Sequence, residues 1–406
     1  MPDWQKDTLT GDWNGLRTKL YDKGFNFSVL HDSDFFANVS GGLKRGSGWM
    51  GRTDTRLDID LEKAAGWHAS TASIKYRSDL GAKINRDYVG GVVGVDIIEA
   101  NTNTAQLLEG FVQKNFADDR FSVLAGLYQL DSEFYVTDTS TYFVPPQYGM
   151  ANELAITGKN GIPLGVLAIR LKAYSPNKNF YVQAALTDGV PGDPNNPHGT
   201  HIKLAKGDGT FSIVEFVYSP QPNADPEAAE NPGDKAKEKA GETKEEAEDF
   251  NKTAIGFWRY SGQFDAIDGL GGHGKSYGAY FLSEKTLFKE SGSQSRGLAG
   301  FVRFGLSSDK VNLLDWSGSA GLRYRGLISG RDDDIAAIAV TVNHASKDFR
   351  STANFERQET DIEMNYRAQI KPWLAIQPSI QGIINPGLDP SIDNAWLLGT
   401  RVEIAL

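Results

Sequence analysis

Polar and apolar residues alternate without a break from Asp361 to Ile370, and a period of two predicts a β-strand with one wet face and one greasy face. After a turn at Lys371-Pro372 the chain runs back with Leu374, Ile376 and Ile380 opposing Gln377, Ser379 and Gln381. The final stretch repeats the code, with Leu398, Thr400, Val402, Ile404 and Leu406 set between Gly399, Arg401, Glu403 and Ala405. Two architectures produce this pattern. A soluble sandwich hides the apolar face in a core, whereas a transmembrane barrel turns it to lipid around a watery lumen. Strand length and strand number separate the two.

The same alternation predicts strands over Phe25–Val39, Thr53–Lys63, Ala69–Ser78, Thr104–Phe116, Phe121–Gln129, Leu164–Tyr174, Phe180–Leu186, Thr210–Ser219, Thr253–Tyr260, Ser276–Phe288, Leu298–Ser307, Gly318–Ile328 and Ile335–Asn343. With the last three the total is about sixteen, each near the ~9–11 residues that a tilted strand needs to cross a bilayer. An even number returns both chain ends to one side. The prediction is an all-β fold, a 16-stranded antiparallel transmembrane β-barrel over residues 25–406. No run approaches the roughly 20 apolar residues of a membrane helix.

The connections alternate as well. Ala65-Gly66, Asp118-Asp119, Ser175-Pro176-Asn177 and Lys371-Pro372 are brief, and their neighbours, such as the Gly-rich stretch at 41–51, run longer. Residues 1–24 precede the first strand as a periplasmic segment, in which Asp12 or Thr10 caps a short helix from Trp13 to Leu20 closed by Gly24. Residues 131–163 far exceed the ~4–6 of an ordinary connection. They carry Phe134, Tyr135, Tyr142, Phe143 and Tyr148, so we expect them to pack against something rather than wave in solvent. Residues 221–251 depart in composition, with ten acidic residues against four lysines between Gln221 and Asp249 and no ring in that span. Such a stretch reads as a solvated insertion, and by strand parity it lies on the periplasmic side.

Composition adds little to this pattern. A mean hydropathy below zero looks soluble, but a barrel spreads its apolar residues over every second position. The absence of cysteine removes disulfides and thiolate metal sites. A net charge of −10 spread among both signs argues against a nucleic-acid partner. Met1-Pro2-Asp3-Trp4 has neither a basic nor an apolar leader region, as expected of a chain whose export signal has been removed.

Several motifs promise chemistry that the pattern withholds. Gly269 to Ser276 satisfies the phosphate-loop spacing, but Tyr277-Gly278-Ala279-Tyr280-Phe281-Leu282 continues as a strand where that motif needs a helix amino terminus. His198 and His201 have ligand spacing with no third ligand in view, so no metal and no cofactor is expected. Asp131 and Glu133 form a carboxylate pair, yet alternate positions on one strand or loop do not face each other across a cleft as a glycosidase requires. No enzyme activity is expected.

The chain resembles the OprB-type carbohydrate-selective porins of Gram-negative outer membranes. The resemblance rests on Gly11-Asp12-Trp13-Asn14-Gly15-Leu16-Arg17-Thr18, with Asn14 where the family usually has glycine, and on later blocks in the family's order. These are Asp60-Leu61-Glu62-Lys63 with Gly66-Trp67, Gly126 to Gln129 leading into Asp131-Ser132-Glu133-Phe134, Asp188-Gly189, Gly321 with Gly330-Arg331-Asp332-Asp333, and Gln377 to Gln381 with Asn385-Pro386-Gly387. The charged insertion and the final Leu406, where such barrels usually present an aromatic residue, depart from the pattern. The resemblance implies a passive outer-membrane channel for monosaccharides such as glucose, bathed by outer-membrane lipid and lipopolysaccharide, as monomer or homotrimer. In porins the third extracellular loop folds inward and narrows the lumen, which makes residues 131–163 the expected constriction.

By alternation the inward-facing residues are Arg56, Lys75, Arg77, Glu109, Gln113, Arg170, Lys172, Glu215, Arg303, Arg323, Arg325 and Arg367. Most such charges solvate the wall and pair across it. Near the waist we favour Lys75, Arg77, Glu109, Asp131 and Glu133, where strands three to five and the long connection converge, and Arg56, Gln113, Arg323 and Arg325 complete the candidate solute-binding set. Arginines in this number also suit a porin for small organic acids, and a soluble carbohydrate-binding β protein is the reading from another class.

Overall fold

The computed structural model describes residues 1–155, 165–193, 195–220, 249–293 and 295–406. The strands are β1 (Phe25–Gly42), β2 (Gly46–Asp60), β3 (Ser70–Gly81), β4 (Thr104–Phe116), β5 (Phe121–Gln129), β6 (Gly165–Tyr174), β7 (Phe180–Asp188), β8 (Thr210–Tyr218) and β9 (Asn251–Tyr260). A two-residue hairpin follows, β10 (Phe264–Asp265) and β11 (His273–Gly274). The rest are β12 (Tyr277–Lys289), β13 (Gly297–Ser307), β14 (Leu314–Arg325), β15 (Ile335–Ala345), β16 (Gln358–Lys371), β17 (Leu374–Ile384) and β18 (Asp393–Ala405). Apart from the small hairpin, each pairs antiparallel with its sequence neighbour, and β1 pairs with β18 to close a 16-stranded barrel.

The barrel is inside out relative to a soluble protein. Along β13 Val302, Phe304 and Leu306 are 48%, 43% and 47% exposed, while Phe301 and Arg303, at alternate positions, are 4% and 3% exposed. An apolar outer band of this kind is stable only in hydrocarbon, which also leaves the backbone no partner but the neighbouring strand. Exposed rings lie within the band, as at Phe281 and Phe304, and at both of its rims. Trp49, Tyr277 and Trp396 mark the end with the longer connections, and Phe116, Phe121, Phe180 and Tyr218 mark the other.

The predicted strands all form, with Thr104–Phe116 and Phe121–Gln129 at the predicted bounds. Four local features differ. The expected Gly-rich loop at 41–51 is a short turn, and β2 begins at Gly46. Gly46 and Gly48 serve as bare patches there, because a Cβ at either would run into the Tyr88 ring or Ala82. The predicted strand end at Lys63 is instead a helical turn, Leu61–Ala65. Asp60 caps it by accepting the Glu62 and Lys63 N–H groups, and left-handed Gly66 closes it.

At the amino terminus the expected helix begins later, as α2 (Leu16–Asp22), and an additional turn, α1 (Trp4–Asp7), precedes it. Trp13, Asn14 and Gly15 are all left-handed, which carries the chain around a corner before α2 can start and explains why a glycine-like residue is wanted at Asn14. In β4 a bulge at Leu108 moves the register from Lys75↔Glu109 to Tyr76↔Leu107.

Residues 156–164, at the end of the expected constriction, and 221–248, most of the charged insertion, lie outside the described residues. The described part of the β5–β6 connection, residues 130–155, turns into the barrel. Phe134, Tyr135, Phe143, Val144, Tyr148 and Leu154 are all buried there.

Candidate functional site

Alternation places one side chain in two of every strand in the lumen, and the register then decides which charges meet. Asp54 on β2 lies directly opposite Arg77 on β3. The guanidinium takes both carboxylate oxygens at 2.7 Å, and Lys75 approaches the same carboxylate at 3.2 Å. One rung away Arg56 bonds Asp58 at 2.8 Å and reaches across β3 to Glu109 on β4 at 3.2 Å. Arg52 and Asp79 form a further pair at 2.6 Å. These alternating charges make a continuous strip over β2, β3 and β4.

A second cluster is built around Arg170 of β6, whose side chain is fully buried. It donates to Glu133 at 2.8 and 3.2 Å, to Gln113 at 2.7 Å and to Ser122 at 2.6 Å. Lys172 adds its charge 3.6 Å from Glu133 and lies 4.4 Å from the Tyr181 ring. Burial alone would raise the Glu133 carboxyl, but Arg170 and Lys172 outweigh it and hold it at about 2. Asp131 has no such fork, so burial raises its carboxyl against the pull of Arg77 and Lys75.

Lys75, Arg77, Glu109, Arg56 and Asp131 therefore share one electrostatic neighbourhood, and Gln113 and Glu133 the adjacent one. Arg323 and Arg325 stand apart on β14. Arg323 stacks over Tyr142 at 5.0 Å and over Phe250 at 4.4 Å, and Arg367 lies 5.7 Å from the same tyrosine. Arg325, the last residue of its strand, pairs with Asp333 of the following turn at 2.7 Å.

The inner segment is held by the wall from several sides. Its Tyr135, Thr139 and Val144 N–H groups donate to Glu215, Glu284 and Glu363 at 3.0, 2.8 and 3.1 Å. Its carbonyls at Tyr135, Tyr148 and Met150 all accept from Arg303, and the Tyr142 carbonyl accepts from Gln377 at 2.6 Å. Gly305 leaves a notch that the Glu153 carboxylate fills; a Cβ there would collide with it. Wall carboxylates thus serve as anchors for backbone that would otherwise be unsatisfied.

The sequence reading did not single out Asp54, Asp58, Glu284 and Glu363. Asp54 and Asp58 were within its reach, since both fall on the Arg56 face of the alternation. Among the described residues no group of three or more histidines and carboxylates is placed to hold a metal ion, and His198 is an exposed loop residue.

Asp96, in the β3–β4 connection, reaches into the barrel and meets Asp34 of β1 and Arg401 of β18. Arg401 lies 2.6 Å from Asp34 and 3.1 Å from Asp96. Burial and then the neighbouring Asp34 push the Asp96 carboxyl well above the usual range, against the pull of Arg401. The folded chain therefore keeps this proton where the unfolded chain has lost it, so the Asp96 contribution declines as pH rises from ~4 through the folded value. Asp96→Asn is expected to flatten the fall of stability with pH over that window. Unfolding midpoints measured at a series of pH values test this, and a variant with the wild-type slope refutes it.

The sequence pattern of the carbohydrate-selective porins, OprB family, matches residues 44–406. Porin B of Pseudomonas aeruginosa is 22% identical over 437 residues, covering 97% of this chain and 90% of the relative. A putative porin, QuiX, of Acinetobacter baylyi is 21% identical over 453 residues, covering 99% and 94%. The barrel is similar in fold to the high-pH structure of Pseudomonas putida OprB, with a TM-score of 0.83, 19% identity and 99% of each chain covered.

Proposed function

Because this chain belongs to the carbohydrate-selective porin, OprB family, an outer-membrane sugar porin by family and fold, we propose that it passes monosaccharides such as glucose by passive diffusion. The end that carries the long β3–β4, β5–β6 and β7–β8 connections faces the outside, and the end with the short β4–β5, β6–β7 and β16–β17 turns, together with the charged insertion, faces the periplasm, the usual arrangement of such barrels. Residues 130–155 form the constriction.

The observation that carries this reading is the composition of the lumen around that segment. Arg56, Lys75 and Glu133 reach the lumen, and Arg77, Glu109 and Gln113, buried behind them, complete a wall of donors and acceptors of both signs already paired to each other. A neutral polyol exchanges its water for such groups without carrying a charge across them, whereas a lone ion meets wall charges of both signs. The partly exposed Tyr142 ring between Arg323 and Arg367 adds a face on which the apolar side of a pyranose can lie. In this reading Arg323 positions that ring, and Arg325, tied to Asp333 at the sheet end, acts at the exit.

Glucose is expected to reduce single-channel conductance saturably in a planar bilayer, and Tyr142→Ala to weaken that block by about tenfold, the ~1–2 kcal/mol of a lost stacking contact. Equal block in the variant removes Tyr142 from the site. Block by gluconate but not by glucose supports the second reading, a porin for small organic acids, which the partly exposed lumenal arginines Arg56 and Arg367 also favour.

A further inference from the structure

The outer face of β6 to β9 departs from the smooth apolar band. Two cross-strand rows lie there, Ile169, Leu186, Ser212 and Arg259 in one, and Leu171, Ala184, Val214 and Phe257 in the other. The central members Ala184, Ser212 and Val214 are small, while Ile169, Leu171, Leu186 and Phe257 are between 50% and 54% exposed. The result is an apolar groove of about 540 Å³ on the membrane-facing side, with Arg259 at its upper end.

A charge in that position needs a reason. An arginine facing lipid costs ~2–4 kcal/mol at the bilayer midplane and ~0–1 near the interface. Arg259 is the next-to-last residue of β9 and pairs with Tyr277, a 57% exposed ring at the rim. Lys275, two positions before that tyrosine, is exposed, and its ammonium donates to the Ser261 and Gly262 carbonyls at 2.6 and 3.3 Å. Among the described residues neither Arg259 nor Lys275 has an ion-pair partner. Asp208 belongs to the same rim, but its carboxylate accepts the Ala205 N–H at 2.7 Å.

We propose that this groove is a docking site for the lipid A portion of lipopolysaccharide, with an acyl chain along Ala184, Ser212 and Val214 and a phosphate against Arg259 and Lys275. Two cations at the rim of an apolar channel match a phosphorylated headgroup above its chains, and basic pockets at a membrane interface bind anionic lipid this way. The choice of lipid A over a phospholipid rests on the orientation proposed above, which puts the two cations in the outer leaflet. It does not depend on which solute crosses the lumen.

The test is native mass spectrometry of the full chain in detergent, titrated with lipid A, with dephosphorylated lipid A and with phosphatidylglycerol. Wild type is expected to retain one lipid A more tightly than either comparison lipid. The double variant Arg259→Gln, Lys275→Gln should weaken lipid A by about tenfold, and Ala184→Phe should do the same by filling the groove while leaving both cations in place. Each variant should keep the heat-modifiable gel mobility of a folded barrel and wild-type conductance, so lost binding is not lost folding. Dephosphorylated lipid A bound as tightly as the parent, phosphatidylglycerol bound equally well, or both variants binding as wild type would each overturn the proposal. Glucose block of conductance is read separately, so failure of the sugar reading and failure of this site are distinguishable.

Discussion

Arg303→Ala is expected to lower stability by about 3 kcal/mol and to raise both the conductance of the channel and its noise. Arg303 sits on β13 with 3% exposure and donates to three carbonyls of the inner segment, those of Tyr135, Tyr148 and Met150, while lying 4.5 Å from the Tyr135 ring. Hydrogen bonds from a charged donor are worth ~1.5–3 kcal/mol each, and buried carbonyls left without one cost ~1–3. Water entering the vacated space restores part of that, which keeps the total below the simple sum. The segment is also tied through Glu215, Glu284 and Glu363, so it loosens rather than leaves. Arg303→Lys is expected to recover little, because an ammonium lacks the fork that reaches three acceptors. Single-channel recording with a thermal melt decides the matter, and a variant unchanged in both would show that the segment does not depend on this arginine.

Arg17→Ala should cost stability by ~2–3 kcal/mol and leave conductance alone. Arg17 is buried to 2% exposure, lies 4.0 Å from the Trp13 ring and 5.2 Å from the Trp4 ring, and donates to Thr8, to the Gly11 carbonyl and to the carbonyl of Leu406 at 2.7, 3.1 and 2.7 Å. The bond to Leu406 fastens the amino-terminal segment to the strand that closes the barrel. Its loss removes charge-assisted bonds and a cation–π contact, which sets the magnitude. The temperature at which the folded band disappears on a gel reports the effect. A lower melting point accompanied by altered conductance would contradict the assignment of this residue to the seam.

The two variants also show which parts of the molecule a reader could find in the sequence. Strands are legible because lipid and water enforce a period of two over ten residues at a time, as in Asp361–Ile370. Single turns escape that signal: α1 and the Leu61–Ala65 turn are too short to display a helical period, and only Asp60 and Gly66 announce the second of them. The inward turn of residues 130–155 could be inferred from length and rings, but its anchors could not. Glu284 and Glu363 look like any lumenal carboxylate until the fold brings Thr139 and Val144 against them. Pairings depend on register too. Asp54 and Arg77 are direct cross-strand neighbours, whereas Arg56 reaches Glu109 over an intervening strand, a contact that no alternation predicts. The bulge at Leu108 shifts the register immediately beside Glu109, a one-residue change invisible to periodicity.

Closure of the sheet by its first and last strands imposes an order of events on folding. Every other strand pair joins sequence neighbours, but Arg17 and Leu406 are 389 positions apart when they meet. Until that meeting the growing sheet carries two open edges, each a template for another chain. Loop-closure entropy must be overcome before the final pairing can reward it, which makes this step intrinsically slow. The hairpins can therefore form early and reversibly, while commitment waits for the one contact that needs the whole chain. Stability added at the seam, by Arg17 above all, acts mainly by slowing reopening rather than by speeding assembly.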